Sequence, residues 1–222
     1  MARQLVLDLP VRQASGREDF FVSAANAAAL ARLDAPETWP LGKLALVGPE
    51  ASGKSHLAQV WAEETGALIL PATDIAAASP GDIARPVVVD DADRLAEGDE
   101  VALFHLHNSL AERGFALLLI GRTPPARWPI ALPDLKSRLM ATDMATIEPP
   151  DDALLAAVLV KQFDDRGLAV PPRIIDWLVP RMDRSFAFAR RLADTLDREA
   201  LSAGGRITRP LADRVLAALD QP

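Results

Sequence analysis

Four short apolar runs, Leu44 to Val47, Ala67 to Leu70, Val87 to Val89 and Phe115 to Ile120, recur along the first two thirds of the chain. Between them lie stretches with helical spacing, 54–64 and 100–113 among them. A run apolar at every position, rather than at alternate ones, belongs to a strand buried on both faces. Strands of that kind separated by helices predict a parallel sheet covered on both sides, an α/β fold. The pattern stops at Glu148-Pro149-Pro150, where two prolines restrict the backbone and Asp151-Asp152 can open a helix. The segments 152–166, 172–181, 185–201 and 210–219 then carry apolar residues three and four apart, with no strand-like run between them. The expected organisation is an arm and linker at 1–18, an α/β domain at 19–148 and a small all-helical domain at 149–222. Within the α/β domain, Ser23 is placed to cap a helix running to Leu33, which Trp39-Pro40-Leu41-Gly42 ends.

Composition removes several classes of function. The 222 residues include no cysteine and three histidines, so thiolate metal sites, cysteine nucleophiles and disulfide scaffolds are excluded. With 24 Lys and Arg against 31 Asp and Glu, the net charge of -7 opposes general attraction to nucleic acid phosphates. No run of apolar residues reaches membrane-spanning length and no signal peptide opens the sequence, which predicts a cytoplasmic protein without a membrane partner. His105 and His107 stand two apart in a helical stretch and face different directions, so they are not a metal pair. Trp39, Trp61, Trp128 and Trp177 are scattered, as core or rim residues are.

Gly48-Pro49-Glu50-Ala51-Ser52-Gly53-Lys54-Ser55 fits the pattern G-x-x-x-x-G-K-[ST], and it stands between the first apolar run and a helical stretch. In that setting, Gly48 and Gly53 let backbone N–H groups wrap phosphates, Lys54 reaches the β- and γ-phosphates, and Ser55 ligates Mg²⁺. A bound ADP or ATP with Mg²⁺ is expected. Asp90, at the end of the third run, is the second candidate metal ligand, in part through water, and Asp91 is placed to orient an attacking water. An exposed acidic turn is the alternative for this pair.

At the N-terminus, Gln4-Leu5-Val6-Leu7-Asp8-Leu9 places Leu5, Leu7 and Leu9 on one face of an extended segment beside the amide of Gln4. Such a stripe suits either a groove on a partner or an edge of the protein's own sheet.

These residues together resemble the DnaA family of AAA+ proteins, and within it the Hda branch, which inactivates the bacterial replication initiator. The likeness rests on the arm at 4–9, the phosphate loop with His56-Leu57, Val87 to Asp91, Leu132-Pro133-Asp134-Leu135-Lys136-Ser137-Arg138-Leu139, and the helical end around Arg181 to Arg184. It implies a P-loop AAA+ parallel-sheet domain with a helical lid. It also implies that Arg138 is an arginine finger reaching a neighbouring subunit's nucleotide, where residue type alone suggests a surface arginine in a salt bridge. Gln4, Leu5, Leu7 and Leu9 become a docking segment for the DNA polymerase III sliding clamp. Phe20 and Phe21 lie beside the nucleotide base by the same resemblance, although a hydrophobic staple into the core suits them equally.

Two positions depart from the family. After the fourth run the family carries a polar residue and an aspartate, where this chain reads Gly121-Arg122-Thr123, so weak or absent hydrolysis of its own is expected. In the lid, the position of a nucleotide-contacting arginine falls on Ala187; Arg184, taken as the cofactor-binding candidate, Arg190 and Arg191 are the available substitutes. The helix-turn-helix domain of the initiator has no counterpart before Pro222, so direct reading of DNA sequence is not expected. The resemblance thus implies a negative regulator that docks on the DNA-loaded clamp and stimulates hydrolysis of DnaA-bound ATP in trans, with some self-association. The alternatives are a nucleotide-binding adaptor or loader for another replication protein and a self-contained P-loop ATPase.

Overall fold

The computed structural model describes residues 21–202 and 206–219. Five parallel strands form one sheet: β1 (Lys43–Val47), β2 (Leu68–Pro71), β3 (Val87–Asp90), β4 (Leu117–Gly121) and β5 (Asp143–Thr146), in the order β2-β3-β4-β1-β5. The apolar runs are uninterrupted because successive residues feed two different cores. Ala45, Val47, Val87, Val89, Leu117 and Leu119 face one side, packed with Leu103, Leu106 and Leu110 of α3 (Glu100–Arg113) and Leu135 and Leu139 of α4 (Pro133–Met140). Leu44, Leu46, Val88, Leu118 and Ile120 face the other, against α1 (Ala27–Leu33) and Leu57, Ala58 and Trp61 of α2 (Lys54–Thr65). Each of the valines, leucines and isoleucines among them, once buried, contributes about 1.5–3 kcal/mol.

Two local expectations change. The first helix begins at Ala27 rather than after Ser23, because a turn intervenes: Ser23 O accepts the N–H groups of Asn26 and Ala27. The buried Asn26 side chain closes that turn by accepting from Ser23 N–H and donating to Phe21 O. The edge strand β5 escaped sequence reading, since Asp-Met-Ala-Thr is neither an apolar run nor a clean alternation. Register with β1 and an Arg32–Asp143 ion pair from α1 hold it in place.

Beyond Thr146 the chain is helical, with α5 (Asp152–Asp164), α6 (Pro172–Leu178), α7 (Phe186–Ser202) and α8 (Arg209–Leu219). Asp151 caps α5, its Oδ1 accepting the N–H of Leu154 at 2.7 Å. These helices enclose their own core of Leu155, Leu159, Phe163, Leu178, Leu192, Leu196, Leu211 and Val215 among others. Leu154 and Phe186 instead join the sheet-side core, together with Leu57 and Ala58 of α2. The starts of α5 and α7 thereby contribute to the same core as the helix that follows the phosphate loop. No helix among the described residues is long and apolar enough to cross a membrane.

Candidate nucleotide site

The loop leaving β1 is shaped by its glycines. A Cβ on Gly48 would stand 2.9 Å from both the Cβ and the carbonyl oxygen of Ile147 and 3.2 Å from Ser52 Oγ, so no side chain fits there. Gly53 adopts φ +87°, in the region glycine enters without steric cost, and α2 starts at the next residue. Lys54 is buried, and its Nζ donates to the carbonyls of Gly48 (2.9 Å) and Pro49 (2.7 Å) and, at 3.4 Å, to Ser52 Oγ. Its pKa lies below the ordinary lysine value, chiefly through burial and then through the Arg122 cation, while the carboxylates of Asp93, Asp90 and Asp91 act in the opposite sense. Ser55 is exposed on the first turn of α2. A glycine-shaped loop, a buried ammonium and a helix N-terminus fit the phosphates of a nucleotide.

The acidic residues divide. Asp90 is half-buried at the end of β3, and its Oδ1 accepts the N–H of Asp91 at 2.9 Å. Asp91 turns outward in a left-handed conformation, φ +52°, with a 3.8 Å ion pair to Arg94 and a side chain 57% exposed. The acidic-turn alternative therefore describes the geometry of Asp91. Asp93 instead faces the end of β4: its Oδ2 accepts the N–H of Arg122 at 2.9 Å, and its Oδ1 is buried with no hydrogen-bond partner among the described residues. Arg122 in turn reaches the phosphate loop, with Nη1 2.9 Å from Glu50 Oε2. Sequence reading passed over Asp93 and Glu50, and met Arg122 only as a departure. Their proximity depends on strand order, which places β3 and β1 on either side of β4.

Arg138 lies at the other end of the sheet. It is exposed on α4, with its guanidinium carbon 5.2 Å from the centroid of Phe104. Its charge is felt by Lys43, which opens β1, and by His107 of α3. The phosphate loop follows Val47, roughly 13 Å further along β1 at the rise of a strand. In place of the salt bridge that residue type suggests, Arg138 has this ring contact, and no ion pair engages it among the described residues. The helix that carries it is held by Glu100, whose two carboxylate oxygens accept the N–H groups of Ala131 (2.9 Å) and Leu132 (2.6 Å).

At the lid, Arg184 is exposed and ion-paired with Asp152 at 3.1 Å, and Arg191 covers the ring of Phe188 at 5.6 Å. Ala187 is half-buried on the first turn of α7, directly after Phe186. Phe21 is 37% exposed, its carbonyl engaged by Asn26. Phe20, Gln4, Leu5, Leu7 and Leu9 lie outside the described residues.

The parallel sheet, glycine-shaped phosphate loop and helical lid define a P-loop AAA+ fold. Domain III of the replication initiator DnaA from Thermotoga maritima superposes with a TM-score of 0.77 at 19% identity, over 96% of this chain and all of that one. DnaA from Aquifex aeolicus bound to AMPPCP gives 0.68 at 17% identity, over 86% of this chain and 67% of that one. A Thermotoga maritima RuvB mutant gives 0.61 at 18%, over 88% and 68%. Residues 151–216 match the family described as the Hda lid domain. The helical region thus resembles the Hda lid domain, and the fold as a whole is that of DnaA domain III.

Proposed function

We propose that this chain is a nucleotide-bound regulator of replication initiation that acts on DnaA. It binds ADP or ATP at the loop 48–55, with Lys54 neutralising phosphate charge. Ser55 and Asp90 would hold Mg²⁺, which supplies charge neutralisation between the β- and γ-phosphates. The arm residues Gln4, Leu5, Leu7 and Leu9 dock on the DNA-loaded sliding clamp, and Arg138 is offered to the ATP of a neighbouring DnaA. A planar guanidinium delivered in trans stabilises charge on the transferring phosphoryl group, an effect of about 10³–10⁵ in rate.

The observation that carries this reading is the position of Arg138. It is exposed and at the opposite end of β1 from its own phosphate loop, so it is available to a neighbour's nucleotide and remote from its own. The Hda lid match and the DnaA-like fold supply the context in which that neighbour is DnaA.

The test is hydrolysis of ATP pre-bound to DnaA, with clamp loaded on DNA, comparing the parent chain with Arg138→Ala. The parent chain is expected to accelerate hydrolysis and the variant to lose at least two orders of magnitude of that acceleration. Full acceleration by Arg138→Ala overturns the finger assignment. Clamp binding with no effect on DnaA's nucleotide would instead make the protein an adaptor.

A further inference from the structure

A lysine buried without a carboxylate partner lies behind Arg138. Lys43, the first residue of β1, shares the face of Ala45 and Val47, which α3 and α4 cover, and it is 2% exposed. Its ammonium donates to Nδ1 of the likewise buried His107 at 2.9 Å, and no ion pair engages it among the described residues. The other charged groups on the elements around it are committed elsewhere: Glu100 of α3 to the N–H groups of Ala131 and Leu132, and Asp143 of β5 to Arg32. A buried charge is costly unless an opposite charge answers it, and the groups that face Lys43 are a neutral ring from α3 and the Arg138 cation from α4.

The connection to Arg138 runs along α3. His107 follows Phe104 by one helical turn, and the Arg138 guanidinium covers the Phe104 ring at 5.2 Å. The ring gives Arg138 a surface and no counter-charge. Burial first, and the Arg138 charge second, lower the proton affinity of Lys43, so the two cations repel each other. Two cations without an anion leave more positive potential on α4 than a lone exposed arginine would. A charge in the protein interior is screened less than one in water, so Lys43 acts through the protein on an anion held by Arg138. A phosphoryl group arriving there offsets the repulsion between the two.

Resting on the reading of Arg138 as a finger in trans, we propose that Lys43 is its positioning residue: the buried ammonium, held by His107, keeps Arg138 turned outward over Phe104 and adds a second positive charge behind the guanidinium. Lys43 thereby strengthens the finger without touching the neighbour's nucleotide.

The experiment measures hydrolysis of ATP pre-bound to DnaA, with clamp loaded on DNA, against the concentration of the full chain and at pH values below and above about 8. The parent is compared with Lys43→Met, Lys43→Gln and Arg138→Ala. Lys43→Met keeps the apolar stem and removes the charge, while Lys43→Gln also keeps a donor for His107. Below pH 8 both Lys43 variants are expected to lower the acceleration at saturating chain about fivefold, as one charge acting through protein does. The concentration giving half the effect is expected to stay unchanged. Lys43 carries its charge below about 8 and loses it above, so the ratio of parent to variant is expected to approach one as pH rises past that value. Parent-like rates in both variants overturn the proposal, as does a loss that Lys43→Gln restores, which would mark a purely structural hydrogen bond. A ratio that does not change with pH, or an effect on the half-saturating concentration alone, overturns it too. Where Arg138→Ala abolishes acceleration, any of these results removes only the role of Lys43, whereas full acceleration by Arg138→Ala removes the finger reading and this proposal together.

Discussion

Lys43 and His107 are polar side chains buried beneath the sheet, with Nζ and Nδ1 2.9 Å apart. Burial, followed by the Arg138 charge, lowers Lys43 to about 8. Burial lowers His107 to about 4, helped by the charges of Lys43 and Arg138 and opposed by a hydrogen bond to Asn108. The imidazole is therefore neutral and accepts from Lys43 at Nδ1. In the unfolded chain His107 takes its proton near 6.5. Between that value and about 4 the unfolded state binds more protons, so the stability associated with a neutral His107 is intact above about 6.5 and lost as pH falls towards 4. Thermal unfolding across this window is expected to show a fall in Tm that His107→Leu reduces, although the variant also leaves Lys43 without its acceptor. A variant with the parent's pH profile would exclude His107 as the source. The sequence showed two histidines on different helical faces; that one of them meets a lysine 64 positions earlier was decided by packing α3 on the sheet.

Among the helices, α5 links the two structural layers. Leu154 joins the sheet-side core, while Leu155, Leu159 and Phe163 join the lid core. Its entry is fixed by Asp151, whose carboxylate satisfies one of the N–H groups a helix start leaves unbonded. Asp151→Ala is expected to destabilise the chain by about 1 kcal/mol, with Asp151→Asn closer to the parent, as read from urea midpoints. An unchanged midpoint for the alanine variant would mean the cap is replaced by water. This start was legible because prolines and paired aspartates punctuate the sequence at 149–152. By contrast, β5 was not, because an edge strand needs no continuous apolar run and takes its identity from its neighbour β1.

For the whole molecule, nucleotide binding should appear as stability. A ligand that binds only the folded chain stabilises it by about 2.7 kcal/mol at one hundred times its Kd. ADP or ATP with Mg²⁺ is expected to raise the Tm of the parent chain by several degrees, and Lys54→Ala to remove that rise. An equal rise in the variant would place the nucleotide elsewhere. The same experiment bears on the lid, since Leu154 and Phe186 share the sheet-side core with Leu57 and Ala58 of α2.

The alternation of buried strands and helices, the phosphate loop and the change of pattern at 148–150 were all legible because each is local. They depend on periodicity, on glycine's access to positive φ and on proline's restriction of the backbone, which act within a few residues. The tertiary structure alone decided which of three neighbouring aspartates faces β4, that Glu50 meets Arg122, and that Arg138 stands away from its own loop above Phe104. Those relations join residues 29 to 72 positions apart along the chain. They follow from strand order and helix packing, which local propensity does not specify.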